Sequence, residues 1–283
     1  MSIGDIMEIA GYQLDLFDLL LILGVLWISM AIFMPHYTFW STRRRRLYHI
    51  RTMEREWGTR VLTMIHRKEA ISFLGVPIYQ YIDIEDAEEI LRGIREAGDA
   101  PIDLILHTPG GQLHASIQIA RALKGHKNKT RVMVPHYSMS GGTIIALAAD
   151  EIIMDKDASL GPIDPQIGDM LRGVFPAPSW IQVAQKKDMD ADDTTLIISD
   201  ISRKAMDFMH RITRELVSDT ITDEEKRGTL IEKLVGGEMI HSQPISAAEA
   251  IELGLPVSTQ LPGLVHEFMK QYRSVRSSVE YAR

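Results

Sequence analysis

Two glycine-bearing turns constrain this chain more than any other feature. They are His107-Thr108-Pro109-Gly110-Gly111-Gln112 and Tyr137-Ser138-Met139-Ser140-Gly141-Gly142-Thr143. Each follows a short apolar run and precedes a stretch with helical spacing. Ile102 to His107 (IDLILH) reads as a strand. Leu113 to Lys124 reads as a helix with Ile117, Ala120 and Leu123 on one face. Arg131 to Pro135 reads as the next strand, Gly141 to Ala149 as a helix of small residues, and Glu151 to Met154 as a further strand. Alternation of this kind predicts parallel pairing with right-handed crossovers. Upstream, 71–82 (ISFLGVPIYQYI) reads as a strand or hairpin, and Asp83 to Ala97 as a helix with acidic residues in its first turns, where the dipole favours them. Downstream, Asp193 to Thr220 reads as one long helix. Ser246-Ala247-Ala248-Glu249 is a capping box whose helix stops at Gly254.

The N-terminal part has a different pattern. Residues 16–34 (LFDLLLILGVLWISMAIFM) carry one charge, Asp18, and are long enough to span a bilayer as a helix. Tyr37, Phe39 and Trp40 follow, and then Arg43-Arg44-Arg45-Arg46. No Lys or Arg precedes the run, whereas Asp5, Glu8, Asp15 and Asp18 do or open it. A cleaved signal peptide would need its positive charges in front. The expectation is a single-pass anchor in the cytoplasmic membrane, with the N-terminus out and the arginine side, with all that follows, in the cytoplasm. Arginines there could also meet anionic lipid headgroups.

The expected organisation is a short extracytoplasmic N-terminus (1–15), a transmembrane helix (16–40) and a basic juxtamembrane helix (41–70). The last carries Leu47, Ile50, Met53 and Trp57 near helical spacing. A single α/β domain (71–267) and a polar tail (268–283) follow. The 283 residues suit an anchor plus one large domain, and a formal net charge of −7 argues against general nucleic-acid binding. The chain has no cysteine, which excludes disulfides, Cys-zinc sites and Cys nucleophiles. No H-E-x-x-H or comparable spacing occurs, so neither metal nor cofactor is expected.

The two turns suggest chemistry. Ligands gather at the carboxyl ends of parallel strands, where such turns converge. Paired glycines let backbone N–H groups approach a substrate oxygen, and helix N-termini aim free N–H groups the same way. A serine beside such donors suits acyl transfer. The phosphate-binding glycine patterns are absent, and G-x-S-x-G fails because Ser138 stands at its first glycine.

HTPGGQLHASIQIARAL resembles the strand–PGG–helix segment of the Clp protease, crotonase and signal-peptide-peptidase superfamily. HYSMSGGTIIALAADEIIMDKDASLGPIDPQIG resembles its nucleophile segment. In detail the chain is similar to the serine dehydrogenase proteinases, membrane-anchored relatives of signal-peptide peptidase, over roughly 70–260. The resemblance implies a Clp/crotonase-type spiral of ββα units, serine peptidase activity and homo-oligomerisation. It places the nucleophile on Ser140 and the oxyanion donors on the N–H groups of Gly111 and Gly141. Ser138 is a rival nucleophile, but its position also suits an N-cap.

In the signal-peptide-peptidase branch the base is a lysine, which must be uncharged to accept a proton. Lys186 and Lys187, ahead of the long helix, and Lys204 within it are the candidates; spacing favours the first two. His136 and His107 could instead serve as bases, although histidines at strand ends are commonly structural. Asp164 and Asp169 could orient a partner, or serve the turn itself. The expected function is a membrane-anchored serine endopeptidase with a Ser-Lys dyad, acting on membrane-protein segments or released peptides. A crotonase-like acyl-CoA enzyme and a silent membrane scaffold are the alternatives.

Overall fold

The structure, a computed structural model, describes residues 8–9, 12–13, 16–66, 80–169 and 173–272. The chain divides into two compact units, Met1–His49 and Ile50–Arg283. The first holds a two-residue hairpin, β1 (Glu8–Ile9) with β2 (Tyr12–Gln13), and most of a 42-residue helix, α1 (Leu16–Trp57). Within it Phe17, Trp27 and Phe33 are each at least 70% exposed. Among the described residues no helix is long and apolar enough to cross a membrane. The span expected at 16–40 therefore stays an expectation.

The second unit is built on a five-stranded parallel sheet. Its order is β12 (Val257–Ser258), β7 (Glu151–Met154), β5 (Thr130–Val134), β4 (Ile102–His107) and β3 (Arg60–Ile65). Strand side chains alternate between two faces. Leu104, Leu106, Val132, Val134, Ile152 and Met154 enter one buried cluster. They pack there with residues of α2 (Ile84–Ala97), α3 (Leu113–Lys124), α4 (Gly141–Leu147), α6 (Asp193–Val217) and α7 (Glu224–Val235). Val61, Ile105, Met133 and Ile153 enter a second cluster, with Met53 of α1 and Val265, Phe268 and Met269 of α9 (Gly263–Lys270). Both faces are thus covered, as parallel sheets require.

A second, shorter layer of pairing lies at the strand ends. There β6 (Tyr137–Ser138) pairs parallel with β8 (Ser159–Leu160), and β8 pairs antiparallel with β11 (Ile245–Ser246). Single bridges extend the row, Thr108 with Ser138 and Ile82 with Gly111. A hairpin of β9 (Gln166–Asp169) and β10 (Gly173–Pro176) leads into α5 (Ala177–Lys187); a helical turn at Asp188–Asp190 links α5 to α6, and α8 (Ala247–Glu252) follows β11.

Local signals account for most boundaries. Asp83 and Ser246 close full capping boxes on α2 and α8, and Asp192 caps α6. Three expectations are corrected. The helix expected over 41–70 ends at Trp57, because Gly58 adopts φ 67° and its N–H bonds to Glu54 O at 3.0 Å. Residues Arg60–Ile65 then form the edge strand β3, and Met53 packs inside the domain rather than outside it. The polar tail begins later than 268, since Phe268 is fully buried. The strand or hairpin expected at 71–82 lies outside the described residues up to 79; of its end, Ile82 makes a single bridge to Gly111.

One charge sits inside the sheet. The Asp103 side chain has no exposure and receives Arg131 Nε at 2.5 Å and Nη2 at 2.7 Å, with the Thr59 hydroxyl at 2.6 Å. The hydrogen bond to Asp103 raises the Arg131 guanidinium above its ordinary value. An Arg131→Ala change leaves a carboxylate buried without its cation, which costs about 3 kcal/mol. We expect the thermal midpoint of the full chain, followed by circular dichroism, to fall by roughly 5–10 °C.

Candidate active site

Strands β4 and β5 both end at the row of short pairings, and both glycine turns start there. Backbone contacts fix the first turn. Ile82 N–H donates to Gly110 O at 2.9 Å, and Gln112 N–H donates to Ile82 O at 2.8 Å. A trans peptide is planar, with its C=O and N–H opposed. The Gly110 carbonyl faces Ile82, so the N–H of Gly111 faces away from it. Gly111 has φ 159°, and a side chain there would meet the Ile82 backbone at 2.3 Å. No other residue type fits this approach without displacing Ile82.

The second turn is equally tight. Ser140 has φ 50° and ψ −117°, left-handed backbone that costs a non-glycine residue on the order of 1–3 kcal/mol. It stands between β6 and α4, on the kind of sharp strand-to-helix bend that presents hydrolase nucleophiles. Its side chain makes no capping bond to α4. A Cβ on Gly110 would lie 2.8 Å from Ser140 Cβ, and one on Gly141 would lie 3.4 Å from Gly111 N. The amides of Gly111 and Gly141 are therefore neighbours, and Ser140 lies against the same turn. Among the described residues neither amide has a hydrogen-bond partner.

Ser138 does not cap α4, contrary to the sequence expectation. It belongs to β6, and its hydroxyl is buried beneath Gly142 with no partner among the described residues. Thr143 Oγ1 instead bonds to Ser138 O at 2.8 Å.

Ser140, Gly111 and Gly141 line a cavity of about 530 Å³. Asp164 and His241 line it as well. His241 Nδ1 lies 2.7 Å from Asp164 Oδ1, while Gln166 Nε2 donates to Asp164 Oδ2 at 2.7 Å. The Asp164 side chain is wholly buried. An ionised carboxylate only accepts, so Nδ1–H donates to it, and in the neutral ring Nε2 keeps its lone pair. That is the tautomer a histidine base needs.

Pairing of β8 with β11 explains how two residues so far apart in sequence meet. Leu160 faces Ile245 in antiparallel register. Asp164 lies four residues after the one and His241 four residues before the other, so both segments leave the ladder at the same end. The Asp164 side chain thus meets both His241 and, two residues on, Gln166. His241, in a Gly- and Pro-bounded loop, carried no periodic or motif signal.

The lysines take other places. Lys186 and Lys187 end α5 and are exposed; Lys204, on α6, pairs with Asp200 and is 74% exposed. None is among the residues lining the cavity, although Ile201 and Ala205 beside Lys204 are. His107 and His136 also lie off the cavity lining, their rings stacked edge to face at 5.4 Å. No group of three or more His, Asp or Glu side chains arranged to hold a metal ion occurs among the described residues.

The family model of the ClpP-like SDH-type serine proteinases matches residues 8–282. The uncharacterized protein MJ1495 of Methanocaldococcus jannaschii is 51% identical over 229 residues, covering 81% of this chain and 76% of that one. A second protein of that organism, MJ0137, is 47% identical over 255 residues, covering 88% and 87%. Among solved structures, an alanine-substituted form of the 1510-N membrane-bound stomatin-specific protease aligns over 75% of this chain and 82% of its own, with 18% identity and a TM-score of 0.48. The chain belongs to the ClpP-like SDH-type serine proteinases and is a serine-type peptidase of mixed α/β fold with a parallel sheet.

Proposed function

We propose that this protein hydrolyses peptide bonds with Ser140 as nucleophile, His241 as its base and Asp164 as the group that holds the base. The observation that carries the reading is that all three line one cavity with the glycine pair. Ser140 Oγ attacks the peptide carbonyl while His241 Nε2 takes its proton. The developing oxyanion receives the N–H groups of Gly111 and Gly141. His241 then protonates the leaving amine, and water enters by the same route to release the acyl group. The Asp164 carboxylate accepts from Nδ1–H and stabilises the imidazolium that forms. Burial of its side chain, and the second hydrogen bond from Gln166, keep it from turning away.

In this reading His241 takes the place of the lysine expected from the signal-peptide-peptidase branch. A lysine base has to be desolvated without a counter-charge. Lys204 has a counter-charge in Asp200, and Lys186 and Lys187 are exposed.

The membrane tether and its orientation belong to the same proposal. What supports them is the exposed apolar surface of α1, with Phe17, Trp27 and Phe33 outward and the four arginines after it. Such a tether would hold the peptidase at the cytoplasmic face of the membrane. Membrane-protein segments or released peptides would then be its nearest substrates, and oligomers of the chain would narrow access to them.

Hydrolysis of casein or an unstructured peptide by the full chain tests the assignment. Ser140→Ala, His241→Ala and Asp164→Asn should each lower kcat by at least ~10³-fold. Gly111→Ala, which displaces a donor, should lower it about 10²-fold. Lys186→Ala, Lys187→Ala and Lys204→Ala should stay within about twofold of wild type, on the ordinary scatter of exposed substitutions. A dead lysine variant beside an active His241→Ala would overturn the choice of base.

A further inference from the structure

The first glycine turn is held from behind by a chain of side chains outside the cavity lining. His66 follows β3 and is 6% exposed. Its Nε2 lies 3.2 Å from Asp86 Oδ2, and its Nδ1 lies 3.0 Å from Thr108 Oγ1. Thr108 is fully buried, and its Oγ1 accepts the N–H of Gly110 at 3.1 Å. His66 N–H also donates to His107 O at 2.7 Å, which fixes the ring beside the end of β4. Asp86 in turn accepts the N–H of Asp83 at 3.0 Å as part of the capping box of α2.

Donor and acceptor roles follow from these contacts. Asp86 only accepts, so His66 donates from Nε2. Partial burial alone would raise the Asp86 carboxyl, but the hydrogen bonds from His66 and from Asp83 N–H outweigh it and hold the group below its ordinary value. With Nε2 carrying the proton, Nδ1 accepts from the Thr108 hydroxyl. That hydroxyl then presents its lone pairs to Gly110 N–H. With a neutral ring the order runs from Asp86 to the peptide before Gly110, and the Gly110 carbonyl, 3.4 Å from Thr108 Oγ1, is the hydroxyl's other acceptor.

This matters for the oxyanion. Gly110 and Gly111 both take backbone with positive φ, 106° and 159°, which a glycine pair can also leave at little cost. On one side Ile82 N–H holds the Gly110 carbonyl. On the other, Thr108 holds the Gly110 N–H. Rotation of the Gly110–Gly111 peptide would turn the Gly111 amide away from Ser140 and leave a carbonyl in its place. The first anchor opposes that rotation directly; the second fixes the Pro109–Gly110 peptide about which the next one turns, and it depends on His66 to aim the Thr108 hydroxyl.

We propose that His66, through Thr108, is a positioning residue for the oxyanion donor Gly111. The inference rests on the proposed role of Gly111 and reaches a residue outside the cavity lining. An amide flip changes stabilisation of the transition state and leaves ground-state binding largely intact.

The test uses the full chain on one unstructured peptide, with kcat and KM measured separately. His66→Ala and Thr108→Val should each lower kcat by roughly tenfold to a hundredfold, below the full loss of an oxyanion donor, with KM within about threefold. Thr108→Ser keeps the hydroxyl and should retain most of the activity. His66→Asn puts an amide oxygen near the Nδ1 position and should recover at least about half the lost factor. The double variant His66→Ala with Thr108→Val should be no worse than Thr108→Val alone, because both break one chain. Should His66→Ala melt below the assay temperature, the contrast of Thr108→Val with Thr108→Ser and the His66→Asn variant carry the same test. Unchanged kcat in His66→Ala or Thr108→Val, with hydrolysis still abolished by Ser140→Ala, overturns the inference alone. Hydrolysis that survives Ser140→Ala overturns the underlying assignment instead.

Discussion

The site depends on one close approach of three backbone segments. The Gly110–Gly111 turn lies against Ile82 on one side and against Ser140–Gly141 on the other, at distances no Cβ tolerates. Every functional element follows from that contact. It sets two amides side by side, puts the nucleophile on a strained bend beside them, and leaves α4 with its N-terminus open because Ser140 does not cap it. The strain is not unique to the site. Asp188, at the end of α5, has nearly the same backbone angles in an exposed turn. What distinguishes Ser140 is that its strain is combined with burial of its neighbours and a cavity in front of it.

Around this contact the parallel sheet acts as a frame. Its two faces carry separate apolar clusters, so the ends of β4 and β5 cannot shift independently. The shorter row of pairings does the rest. It ties the first turn to the second through Thr108 and Ser138, and the second to β8 and β11. Asp164 and His241, from loops far apart in the chain, meet at the far end of that row.

Much of this was readable from residues. Strands β4 and β7 and helix α3 have the bounds that periodicity and turn signals give, since IDLILH, EIIM and LHASIQIARALK are each uniform in period and bracketed by breakers. Ser140, Gly111 and Gly141 were singled out by the resemblance of the two glycine turns to the family's segments, which are contiguous in sequence. What was not readable is non-local. Strand β3 reads RVLTMI directly after a helix whose spacing runs into it, and only pairing with β4 makes it a strand. His241 is a lone histidine in a loop, and it meets Asp164 only because β8 and β11 pair nearby, a contact no local pattern contains. The lysines drew attention by order in the chain, whereas exposure and the Asp200 pairing take them out of the cavity lining.

The central claim is that Ser140 Oγ and the amides of Gly111 and Gly141 form one acyl-transfer centre. Its most direct test is a structure of the full chain after reaction with a fluorophosphonate. The account predicts a single adduct on Ser140 Oγ, with the phosphonyl oxygen about 2.7–3.1 Å from both amide nitrogens. An adduct on another residue, or a Ser140 adduct whose oxygen points away from Gly111 and Gly141, would contradict it.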